Sequence, residues 1–193
     1  MMDCGVRPPC NYALLLNADE EIGSVYGIDA ILKKHRKTFG KDDVFLVPDG
    51  GNAQGTMVEI AEKNMLWVKF TVQGRQTHAS TPHSGINAHR VAAHLVVKLD
   101  DLYKKFNKKD KLFAPESGST FEPTKREPNV PNVNTIPGTE VFYLDCRVLP
   151  CYKNEEVVAE IAKIAKSVEK QFKVKIKVET PMSDCSKPTD KNA

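Results

Sequence analysis

Met65-Leu66-Trp67-Val68-Lys69-Phe70-Thr71-Val72 is an apolar stretch of full strand length, closed by Gly74. A loop over 75–85 with His78 and His83 comes next. From 86 to 106 the apolar positions are Ala88, Val91, Ala92, Leu95, Val96, Leu99, Leu102, Tyr103 and Phe106. Steps of three and four predict an amphipathic helix. Beyond a lysine-rich connection, 119–123 and 140–148 read as strands separated by 129–138. Asn154-Glu155-Glu156 reads as a helix start, with Asn154 as the cap and acids in the first turn. Val157, Val158, Ile161, Ile164, Ala165, Val168 and Phe172 give that helix its buried face. Val174-Lys175-Ile176-Lys177-Val178 alternates as a half-exposed strand does. The order βαββαβ from about 65 to 180 predicts a ferredoxin-like α/β domain, with a polar segment, 181–193, after it.

Upstream lies a different pattern. Asn17-Ala18-Asp19-Glu20-Glu21-Ile22-Gly23-Ser24 follows the apolar run Tyr12-Ala13-Leu14-Leu15-Leu16, and a helical pattern runs over 23–39 to Gly40. Val44-Phe45-Leu46-Val47 reads as a second strand, followed by Pro48-Asp49-Gly50-Gly51, and 57–62 offers one more. Strand, helix, strand predicts parallel strands whose carboxyl ends share one sheet edge, where open α/β sheets place their chemistry. Glu20 and Glu21 are then expected near Asp49. A solvated acidic turn opening the next helix is the alternative, since acids suit a helix N-terminus.

With 193 residues, 40% hydrophobic and 27% charged, the chain has ordinary globular composition, and its net charge of +3 is small. No nucleic-acid motif, signal peptide or run of membrane-spanning length is present, so a cytoplasmic protein without nucleic-acid or membrane partners is expected. Five cysteines without CxxC spacing (Cys4, Cys10, Cys146, Cys151, Cys185) indicate reduced thiols rather than a disulfide framework or a zinc knuckle.

Five pieces carry a resemblance across nearly the whole chain. They are Ala18-Asp19-Glu20-Glu21-Ile22-Gly23-Ser24, Val47-Pro48-Asp49-Gly50, Gly74-Arg75-Gln76-Thr77-His78-Ala79-Ser80, Pro82-His83-Ser84-Gly85-Ile86-Asn87-Ala88 and Asn134-Thr135-Ile136-Pro137-Gly138. In this order they resemble the dinuclear-zinc peptidases and deacylases, which include carboxypeptidase G-type enzymes, acetylornithine deacetylase, aminoacylase and succinyl-diaminopimelate desuccinylase. The resemblance implies a parallel α/β catalytic domain interrupted by a ferredoxin-like lid that also dimerises. It implies 1–63 as part of the catalytic domain, 64–180 as the lid, and 181–193 as the return segment.

By the same resemblance, Glu20 is the general base, while Glu21 and Asp49 ligate different zinc ions. Two zinc ions ~3.5–4 Å apart share and acidify a water; carboxylates also accept cobalt or manganese. The matching histidine, His78, serves the partner subunit's site as an oxyanion donor; otherwise it is a loop histidine. Asn134 matches a substrate-contacting asparagine, or is a turn residue. Arg147 stands where some members bind a substrate carboxylate, or is a strand-surface arginine. His83, His89 and His94 read as structural and His35 as a solvated helix end. The implied substrate is a peptide or N-acyl amino acid and the implied partner a second copy of the chain.

One departure stands out. The family's upstream His-x-Asp motif and its last histidine ligand have no counterpart in these residues. Zinc sites of this kind take about three protein ligands per ion, so the chain reads as a central fragment, expected to be inactive alone. A non-catalytic dimerisation or regulatory module that kept the lid is the competing expectation.

Overall fold

The computed structural model describes residues 5, 9–20 and 24–190. The chain divides into two compact units, Met1–Gly50 and Gly51–Ala193.

In the first unit one α-helix forms, α1 (Ile28–His35), extended by a 3₁₀ turn, Arg36–Thr38. Asp29 lies in its first turn and Lys33, Lys34 and His35 in its last, the sense that complements the helix dipole. Gly27 precedes it because a Cβ there would sit 2.1 Å from the Ala18 carbonyl oxygen.

The two expected parallel strands do not form: residues 11–17 and 43–47 are irregular, as is 56–63. Leu14 is 86% exposed and Val44 87%. Apolar content alone does not make a strand, which also needs a ladder partner to take its backbone groups. Among the described residues neither segment has one.

The second unit matches the expected order. Its elements are β1 (Asn64–Gln73), β2 (Thr77–His78), α2 (Ala88–Leu99), α3 (Asp101–Lys105), β3 (Thr120–Arg126), β4 (Thr135–Ile136), β5 (Thr139–Val148), α4 (Asn154–Phe172) and β6 (Lys175–Asp184). The main sheet has the order β3-β5-β1-β6, antiparallel throughout, which is the ferredoxin-like arrangement; β2 and β4 form a separate two-stranded ribbon. The last strand runs on through Pro181 to Asp184, into the polar segment that the sequence reading sets apart as the return to the catalytic domain.

Alternation makes one face of the sheet apolar. Leu66, Val68, Phe70 and Val72 of β1 and Phe142, Leu144, Cys146 and Val148 of β5 are buried under α2 and α4. Phe70 and Phe142, partners in the ladder, stack with ring centroids 4.6 Å apart. Burial pushes the Cys146 thiol up to about 12, with Asp145 adding to it. That sulfur is a core atom, not a nucleophile. No helix among the described residues is long and apolar enough to cross a membrane.

Candidate functional site

The structure joins two of the six expected site residues. His78 ends β2, where it lies opposite Thr135 of β4, and the Ala79 N–H donates to the Asn134 carbonyl at 2.8 Å. This short ribbon sets the Asn134 amide 3.3 Å from His78 Nε2. On the other ring nitrogen, Ser80 closes a tight local loop: its backbone N–H donates to Nδ1 at 3.2 Å and its Oγ lies 2.7 Å away. Both ring nitrogens are thus engaged, Nδ1 by Ser80 and Nε2 by the Asn134 amide nitrogen. The result is an exposed imidazole held on both of its nitrogens.

Glycine lets this ribbon sit close to the body of the domain. A Cβ on Gly85 would meet Thr77 Cγ2 at 2.4 Å, and one on Gly74 would meet the Ile86 carbonyl oxygen at 2.2 Å. Arg75 and Ile86 exchange backbone hydrogen bonds of 2.9 and 2.8 Å, and the Gly74 N–H donates to the Gly138 carbonyl at 2.7 Å. The loop before His78 and the loop after Asn134 are thereby tied together.

Arg147 is placed elsewhere. It is opposite Met65, at one end of the β1–β5 pair, whereas the ribbon lies beyond the other end, where Gln73 faces Thr139. Eight residue steps along the strand separate Thr139 from Arg147, about 26 Å at ~3.3 Å each. The guanidinium is engaged by Asp145 at 2.9 and 3.2 Å, and Asp145 also accepts from Trp67 Nε1 at 2.8 Å.

In the first unit Glu20 and Asp49 are exposed and bond to none of the described residues; Glu21 lies outside them. Asp19 takes part of the acidic-turn role: it has φ 59°, and its Oδ2 accepts the Tyr26 N–H at 2.7 Å at the entry to α1. So one acid of the run organises the turn and its neighbour Glu20 is left free. No group of three or more His, Cys, Asp or Glu able to hold a metal ion occurs among the described residues.

Of the remaining histidines, His94 packs at a tilt against Phe172 with ring centroids 4.9 Å apart, and His89 lies 3.5 Å from Glu140. Two contributors were missed from sequence: Ser80, two residues past His78, and Glu140, the polar residue in the buried register of β5.

With this geometry in hand, residues 60–173 match the M20 peptidase dimerisation domain. The chain belongs to this family. A metallohydrolase of Methanocaldococcus jannaschii is 42% identical to the M20 chain over 97% of its length, and 48% of the relative is covered. Succinyl-diaminopimelate desuccinylase 2 of Shewanella loihica is 21% identical over 82% of the chain and 41% of the enzyme. Among solved structures, a hydantoinase/carbamoylase family amidase from Burkholderia ambifaria superposes with a TM-score of 0.55 at 18% identity, covering 72% of the M20 chain and 33% of the amidase. At that identity the superposition shows the fold alone. The chain thus spans about half the length of the curated relatives it matches.

Proposed function

We propose that the chain is the dimerising lid and part of the catalytic domain of a zinc-dependent hydrolase that cleaves an amide bond in a peptide or N-acyl amino acid. The observation that carries this reading is the His78–Asn134 pair, an exposed imidazole held between Asn134 and Ser80. The curated relatives, a metallohydrolase and a desuccinylase, point the same way.

Metal fit is the first test of this reading, and the described donor set fails it alone. Glu20 and Asp49 stand exposed without a third ligand, while a catalytic zinc takes about three. We therefore place the missing ligands on polypeptide beyond this chain, with Glu21 and Asp49 as its own contribution. The isolated chain is expected to be inactive.

The roles proposed for its own residues follow from their chemistry. Glu20, not engaged by the described residues, accepts the proton of the attacking water and returns it to the leaving amine. His78 donates a ring N–H, once Asn134 yields it, to the oxygen on which negative charge develops. Asn134 orients that ring and contacts substrate beside it. Arg147 offers two parallel N–H groups to a substrate carboxylate once Asp145 releases it.

One protomer cannot bring Arg147 to its own His78, because the two stand at opposite ends of the β1–β5 pair. A shared site then takes His78 and Asn134 from one copy and Arg147 from the other. That makes dimerisation a requirement of the chemistry.

The test is metal content and hydrolysis of N-acyl amino acids, measured on this chain and on a polypeptide of its relatives' full length. Zinc-dependent hydrolysis is expected only from the longer form, and Glu20→Ala in it should abolish turnover while metal stays bound. Retained turnover in Glu20→Ala removes the base assignment. A full-length protein without metal-dependent hydrolysis leaves the non-catalytic dimerisation module, which the complete core of the second unit also suits.

A further inference from the structure

Glu140 is an acid in the wrong place for an ordinary strand. On β5 it shares the buried face with Phe142 and Leu144, and its side chain is fully buried. A buried carboxylate is costly unless donors surround it. Here they come from three separate parts of the domain. Arg126, at the end of β3, donates from Nε at 2.9 Å and again from Nη2. Asn129 Nδ2 donates to the other oxygen, and His89 Nδ1, on the first turn of α2, lies 3.5 Å away. Arg126 Nη2 also meets the ring nitrogen of His89.

Two of these partners bracket the start of the loop over 127–134. The opposite face of the sheet holds the same segment: Glu127 accepts from the Tyr143 hydroxyl at 2.6 Å, pairs with Lys69 at 3.5 Å, and donates its backbone N–H to the Val141 carbonyl at 3.0 Å. At its far end the loop delivers Asn134 to His78. Between these anchored ends, Val133 is fully exposed, and among the described residues no tertiary hydrogen bond holds 130–133. The path of the loop is therefore set by how its base is held.

We propose that Glu140 is a positioning residue: by gathering Arg126 and Asn129 it fixes the base of the 127–134 loop and so the place of Asn134 against His78. That this pair matters for catalysis rests on the functional reading above; the positioning itself does not. Burial explains why a carboxylate serves here. In a site closed to water its two oxygens hold the strand end and the loop more firmly than a neutral acceptor, while removal of the donors would leave a buried charge unpaired.

The experiment is NMR on the chain itself, observing the side-chain amide of Asn134 and its NOE to the His78 ring. Asn129→Ala, at an exposed position, is expected to keep the fold, with unchanged amide resonances in β1 and α4, and to lose the NOE. Glu140→Gln should lose it as well, and Glu140→Asp should recover it in part. An NOE of native intensity in folded Asn129→Ala overturns the proposal, whether or not Glu140→Gln folds. Loss of the NOE alongside a full-length protein without hydrolase activity would keep the positioning role and remove only the functional reading.

Discussion

Asn154 illustrates how a residue type with a local reputation can serve a distant purpose. Its position ahead of Glu155 and Glu156 predicts a helix cap, yet it stands one residue inside α4, with Lys153 at the cap. Its amide nitrogen instead lies 3.1 Å from the Met65 carbonyl, 3.2 Å from Ser183 Oγ and 3.2 Å from the Asp184 carbonyl. The side chain ties the start of β1 to the end of β6, and 1% of the residue is exposed. Asn154→Ala should cost about 2 kcal/mol, since it strands buried carbonyl groups, and should lower the urea midpoint without changing the slope. Asn154→Asp should cost more, because a carboxylate cannot donate. Sequence spacing could not show this, since two of the three partners are some 30 residues downstream, in a polar segment without a strand's alternation. Cys146, by contrast, was legible as a reduced thiol, and its burial adds a prediction. Native protein and Cys146→Ala should show equal numbers of fast-reacting thiols towards a disulfide reagent, and denaturant should add one thiol in the native sequence only.

At the scale of elements, the join between α4 and β6 depends on one acid. Lys173 turns the chain in the left-handed conformation at φ 55°, and the Glu169 carboxylate accepts the Ile176 N–H at 2.8 Å across that turn. This hydrogen bond first, and Lys166 second, hold the Glu169 carboxyl below its ordinary 4.5. A carboxyl whose folded value is depressed adds stability above its unfolded value, and that stability is lost as pH falls through the folded value. Glu169→Gln should therefore be less stable than the native sequence by about 1 kcal/mol at pH 6.5, and the gap should close by pH 3, measured by denaturant titration at both. The elements of this domain were readable because each carries its own periodicity, two for β1 and β5, three to four for α2 and α4, and the periods specify both type and facing. The run from Tyr12 to Leu16 was not readable as structure for the complementary reason. It announces burial, but which surface buries it and which strand pairs with it are properties of other segments. The site shows the same division: His78 and Asn134 are brought together by a ladder within one domain, whereas Glu20 and Asp49 stand in a unit that exposes its apolar side chains.

For the whole molecule, the separation of Arg147 from the β2–β4 ribbon makes a stoichiometric prediction. If a site draws His78 and Asn134 from one copy and Arg147 from the copy that supplies the catalytic carboxylates, then His78→Ala and Arg147→Ala are each inactive as pure dimers of the full-length protein. Mixed and reassorted, they form heterodimers in which one site receives both intact residues and the other receives neither. Random pairing makes half of the dimers mixed, and half of their sites functional, so about a quarter of native activity should return. The alternative, in which both residues reach the same site from the same copy, gives the opposite result, because every site in the mixture then lacks one of them. The placement at opposite ends of the β1–β5 pair argues against that alternative before the experiment is done. Activity titrated against mixing ratio, with the maximum at equal amounts, separates the two. Pure Arg147→Ala dimers that keep their activity would assign Arg147 to the Asp145 and Trp67 cluster it occupies here, as a residue of the sheet surface.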